Sequence, residues 1–168
     1  MKPCRSRCVT VALAVVLALL SLWGCREEKG AEELLWSLVA EAERLPDGEI
    51  YLSSAEEGDV GYLSDALVER MYGEAAESLL DVSREIALFL PSFSQPAELV
   101  AVRCDSVTDA HRAEEILRER RDFLAVAFVG TEWESLARSA AVMREGRYVF
   151  FLMAENAEEL ALVAKRIC

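Results

Sequence analysis

The sequence predicts an α+β protein: N-terminal helices, then a small, mainly antiparallel sheet built as strand–strand–helix twice and packed against helices. Three observations predict it. Residues 31–45 and 62–72 place apolar side chains at helical spacing. Residues 85–90 with 99–104, and 140–144 with 147–154, are paired runs of strand composition. Ser106 and Asn156 each follow such a pair and open a helical stretch.

The chain begins with a segment of different character. Lys2, Arg5 and Arg7 precede any acid, and Val9–Leu22 is an apolar run of 14 residues broken only by Thr10 and Ser21. That length is too short to span a bilayer as a helix and suits the core of a signal peptide. Leu22, Gly24 and Cys25 then stand at the −3, −1 and +1 positions of a bacterial lipobox, with Trp23 where a small residue is usual. Residues 1–24 are read as a lipoprotein signal, Cys25 as the lipidated residue, 25–30 as a tether and 31–168 as one domain. The competing readings are a plain signal peptide cleaved nearby, or an uncleaved anchor in which Cys25 is incidental. Two or more acyl chains, at ~0.8 kcal/mol per buried CH₂, hold a protein on a membrane where one is marginal.

The whole chain has net charge −12; losing residues 1–24 removes three basic groups and no acid, leaving −15 over 144 residues. That length can bury a real core. Its charge argues against nucleic-acid partners, and suits a domain kept off an anionic surface by repulsion and held by its lipid alone.

Ala31–Leu45 aligns Leu34, Leu35, Leu38 and Leu45, and Pro46-Asp47-Gly48 stops the helix. Ile50-Tyr51-Leu52 reads as a short extended piece. The Glu56-Glu57-Gly58-Asp59 cluster lacks the alternation of a calcium loop and reads as a charged turn. Tyr62–Tyr72 is a helix on Leu63, Leu67 and Met71, broken by Gly73, and Glu74–Leu80 adds a turn or two.

Glu85–Leu90 and Leu99–Cys104 are strands joined by a Pro/Ser-rich linker, followed by a helix from Val107 to about Ala125 capped by Ser106, with Asp109 as a weaker capping-box partner. Thr131 and Glu134 carry the full capping-box pattern for a short helix. A hairpin over Ala140–Arg144 and Arg147–Ala154 turns at Glu145-Gly146. Asn156, with Glu159, caps the last helix. The strands are apolar on both faces, where an antiparallel sheet with one wet face shows polar alternation. With the two capped helices covering one face, the other is closed by the N-terminal helices or stays partly open as a partner surface at Phe89, Leu99 and Phe151.

No catalytic or metal-binding motif stands out, so the sequence assigns no catalytic residue, metal or cofactor. His111 is the only histidine and reads as a surface residue; Glu114-Glu115 and Glu158-Glu159 read as solvated charge. Arg118, Arg120 and Arg121 form a basic patch expected to pair with surface acids, as Glu114 with Arg118 at i, i+4. Cys104 and Cys168 lie in a compartment that permits disulfides, but no spacing supports a bond between them, and none is expected.

Cys25 with its lipobox, Met71-Tyr72-Gly73, Glu98-Leu99 opening a strand and Gly146-Arg147-Tyr148-Val149 before a short final helix resemble small bacterial lipoproteins defined by domain of unknown function 4358. The resemblance covers roughly Leu63–Ile167 plus the signal. The chain departs from it at Arg103-Cys104 and at the apolar Val126-Ala127-Phe128-Val129. It implies an envelope lipoprotein with a compact α+β fold and supplies no activity. The expected function is thus a non-catalytic interaction module, lipid-anchored on the extracytoplasmic face of the cell membrane, with an envelope protein or wall component as partner. The alternative is a small-solute-binding lipoprotein, and a motif-less hydrolase is a distant third.

Overall fold

The computed structural model describes residues 28–92 and 95–168. The signal segment, Cys25 and the start of the tether lie outside the described residues. The elements are α1 (Ala31–Glu41), β1 (Gly48–Leu52), α2 (Asp65–Tyr72), a 3₁₀ turn (Gly73–Ala75), α3 (Ala76–Val82), β2 (Glu85–Pro91), β3 (Glu98–Arg103), α4 (Val107–Ala127), α5 (Glu134–Ser139), β4 (Ala141–Glu145), β5 (Tyr148–Met153) and α6 (Ala157–Ile167). The class is α+β, with one five-stranded antiparallel sheet ordered β1-β2-β3-β5-β4.

Strand alternation sends neighbouring residues to opposite faces, and here both faces are buried. Ile86, Leu88, Val100, Val102, Val149 and Phe151 face a layer made by α2, α3, α4 and α5. Ala87, Phe89, Leu99, Ala101, Phe150 and Leu152 face a layer made by α1 and α6. The helices that follow the two hairpins therefore lie on opposite faces, and α1 and α2 are divided between them as well.

This corrects the open-face expectation. Phe89, Leu99 and Phe151 are only 4%, 0% and 0% exposed. They do not share a face: Phe89 and Leu99 pack under α1 and α6, Phe151 under α4. With a helix layer on each side, the sheet has no room for a docked partner.

Several boundaries shift for local reasons. The first helix stops at Glu41 rather than Leu45, and Arg44 adopts φ 50°. The second begins at Asp65, because Ser64 accepts the Leu67 N–H at 3.3 Å as N-cap. Ser106 caps α4 as expected, accepting from Asp109 N at 3.1 Å, while its hydroxyl donates to the Asp109 carboxylate at 2.6 Å. Thr131 and Glu134 close a turn ahead of α5: Thr131 Oγ1 accepts from Trp133 N, and Glu134 accepts from Gly130 N at 2.7 Å. The hairpin turn falls on Gly146-Arg147, with Glu145 paired to Tyr148. Gly146 takes φ 57° there, where a side chain would be strained.

Asn156 departs most. Its side chain makes no capping bond to α6. Instead Nδ2 donates to Glu41 O and Oδ1 accepts from Glu43 N, both at 3.0 Å. The residue binds the carbonyl end of α1 to the start of α6. Gly48 opens β1 where a Cβ would stand 2.4 Å from the Phe89 ring, so only glycine lets the edge strand close over that side chain.

Phe151→Ala should lower the unfolding free energy by about 3–5 kcal/mol in urea titrations, from lost burial and the cavity left behind. Phe89→Glu should abolish the cooperative transition, because the new carboxylate has no partner in that layer. A Phe89→Glu protein with wild-type stability would contradict the burial of this face.

Candidate functional site

α4 is 21 residues long and runs back along β3 from the Arg103 end toward Glu98. Its buried stripe is Ala110, Ala113, Leu117 and Leu124. Arg120 falls on that stripe, three residues past Leu117 and four before Leu124. Glu98 shares the β3 face of Val100 and Val102 and is the one buried charged residue among the described residues. The two meet: Arg120 Nη2 donates to Glu98 Oε2 at 2.8 Å, Nε lies 3.3 and 3.4 Å from the two carboxylate oxygens, and Nη1 donates to Met71 O at 2.9 Å. The guanidinium also stacks near the Tyr72 and Phe123 rings, 5.8 and 5.9 Å from their centroids.

One arginine thus ties together a strand, the long helix and the carbonyl end of α2. Burial raises the Glu98 pKa above the ordinary carboxylate value, and Arg120 pulls it back. The Tyr72 hydroxyl is buried beside this carboxylate without a well-formed hydrogen bond, and burial followed by the Glu98 charge drives its pKa well up. It stays a neutral phenol.

Above the pair lies a half-open groove of about 390 Å³, lined chiefly by Arg70, Met71, Tyr72, Ile116, Arg120 and Phe123. Arg70 makes no ion pair among the described residues. Beyond Arg120, α4 runs on for seven residues, about 10 Å at 1.5 Å each, past the end of the sheet. Phe123 and Val126 on this overhang, and Val129 just past its end, are each more than half exposed.

The other arginines behave as the sequence suggests. Arg118 pairs with Glu114 at 2.6 Å and Arg121 with Asp122 at 2.7 Å. Arg120 is the exception, and its spacing on the apolar stripe was the available signal. Glu114 is not simply solvated: it also accepts from Arg144 of β4 at 2.9 Å. Burial raises its pKa, but the bonds from Arg118 and Arg144 outweigh burial and hold it below the ordinary value. His111 is exposed, 3.9 Å from Glu114. Cys104 is a free, fully buried thiol, so no disulfide joins it to Cys168; burial, then Asp109 and Asp105, push its pKa to about 11. No cluster of three or more potential metal ligands occurs among the described residues.

A second polar cluster lies at the opposite end of β3. Arg103 donates to Glu85 at 2.9 Å and to Glu28 at 3.0 Å, and Arg147 also donates to Glu28. Arg103 Nε is buried without a partner.

No family model matches this chain, and searches of the curated proteins and of the solved structures find no match either. No helix among the described residues is long and apolar enough to cross a membrane.

Arg120→Ala should cost about 3–5 kcal/mol at neutral pH, because it leaves a buried carboxylate uncompensated. Removing Arg120 also removes the influence that lowers the Glu98 pKa. The mutant therefore takes up a proton at higher pH than wild type, and its deficit narrows as pH falls toward and through the raised Glu98 pKa. Urea titrations from pH 8 down to about 5 check this; a deficit independent of pH would refute the pairing.

Proposed function

We propose that the chain is a lipid-anchored extracytoplasmic lipoprotein, non-catalytic, which presents the overhanging end of α4 to a component of the cell envelope. The observation that carries the interaction reading is the exposed Phe123, Val126 and Val129 beside the groove, since contiguous exposed apolar side chains mark contact sites. This replaces the sheet face, which is filled. The anchor reading rests on the lipobox at Cys25 and on the apolar run before it. The resemblance to lipoproteins with domain of unknown function 4358 belongs to the same reading. So does the arrangement of strand–strand–helix twice, β2-β3-α4 and β4-β5-α6, behind the N-terminal helices.

The groove favours a second reading, binding of a small solute. Its aromatic and apolar walls with two arginines are the kind of lining a small amphipathic molecule uses.

Mass spectrometry of the mature N-terminus should find acylated Cys25, and Cys25→Ala should leave the signal uncleaved or release the protein from the membrane fraction. An unmodified N-terminus at another residue would remove the anchor.

Val126→Asp should lower the unfolding midpoint only slightly, since the side chain is 74% exposed and the new carboxylate meets only the negative end of the helix dipole. The same change should abolish crosslinks to envelope components in intact cells. Crosslinks that survive Val126→Asp but fail with Arg70→Ser would instead favour the groove and the solute reading.

A further inference from the structure

Glu28, Lys29 and Gly30 precede α1, where the sequence places a tether, yet they are built into the domain. The Glu28 carboxylate is held by Arg103 and Arg147. The Tyr148 hydroxyl donates to Lys29 O at 3.0 Å. Ala31 N–H donates to the Glu85 carboxylate at 2.9 Å, and that carboxylate lies 3.2 Å from where a Gly30 Cβ would stand. Arg103 itself is mostly buried, Glu28 is about half exposed, and the Tyr148 and Ala31 bonds add fixed contacts beside the ion pairs.

Only two residues separate Cys25 from Glu28. Three Cα–Cα steps reach at most about 11 Å. That is close to the Debye length in physiological salt, about 8 Å, so repulsion cannot hold the domain clear of a surface to which Cys25 is fixed. Arg84, Arg103 and Arg147 gather at this end and offset the acids there.

Building on the anchor reading above, we infer that the domain sits on the membrane in one orientation. The Arg103–Arg147 end abuts the phosphodiester headgroups, and the groove and α4 overhang point away. β3 runs from Glu98 to Arg103, so the two polar clusters are about 17 Å apart along the strand, and the overhang adds about 10 Å. The membrane is thus a second contact of the folded domain, and the distal surface is the one left for a soluble or wall-borne partner.

The test uses the purified mature lipoprotein in vesicles of three parts phosphatidylethanolamine to one part phosphatidylglycerol, doped with nitroxide-headgroup lipid. A fluorophore is placed through Glu145→Cys beside the β4–β5 turn, or through Glu132→Cys beyond α4, each in a Cys168→Ser background; both positions are exposed. The mass of the N-terminal peptide is recorded on the same samples. Quenching at position 145 should exceed that at 132 at least threefold. Inserting a Gly/Ser segment of about twenty residues between Glu27 and Glu28, with an r.m.s. span of about 25 Å, should bring the ratio close to one. An acylated Cys25 with equal quenching at both positions overturns the orientation alone, and a threefold ratio that the insertion leaves unchanged overturns the short tether as what sets it. An unmodified Cys25 overturns the anchor reading and the orientation with it.

Discussion

A sheet that is apolar on both faces has to be covered twice, and every other feature of this fold follows from that. Phe150 and Phe151 are consecutive on β5, both fully buried, and they point into different layers. Neither layer is made by one end of the chain. α1 from the N-terminus meets α6 from the C-terminus on one side, while α2 to α5 gather on the other. The edge strands β1 and β4 are only partly buried, so the central β2, β3 and β5 carry the core.

The strands were legible because their composition is one-sided. Leu99–Val102 and Tyr148–Met153 hold no polar residue that a helix of this charged chain would carry, and the turn glycine at 146 marks where the second pair folds back. Helix identities were legible from periodicity. What periodicity does not encode is the face each helix takes, because that depends on the path of each crossover. This is why α4 and α6 were expected together and lie apart. Asn156 has the chemistry of a cap, but its backbone partners lie 113 and 115 residues away in sequence, and no local pattern reaches that far.

The Glu98–Arg120 pair shows the same limit from the other side. Each residue had a local reading, a strand opener and a member of a basic patch. Their meeting depends on α4 lying back along β3, so that a position on the helix stripe comes level with the first residue of the strand. Inside a protein, a carboxylate without a counter-charge is costly, and a guanidinium that spends its donors on a carboxylate and on Met71 O is fixed in place. The pair stiffens the floor of the groove and aligns the rings of Tyr72 and Phe123. Beyond it Leu124 still packs into the core, while Phe123 and Val126 turn outward and remain exposed.

The clamp that Asn156 places on the end of α1 has a consequence for the order of assembly. α1 leaves the ribosome early, yet the groups that hold its carbonyl end arrive only with the last thirteen residues of the chain. Closing a loop of that length is entropically costly and slow compared with local contacts. The carbonyl end of α1 therefore stays unfastened until those residues arrive, while its apolar face can already pack on β2 and β3. Loss of the C-terminal segment would remove α6 from the layer that covers Leu34, Leu35 and Leu38 and unfasten the opposite end of the chain, far from the cut in sequence and adjacent to it in space.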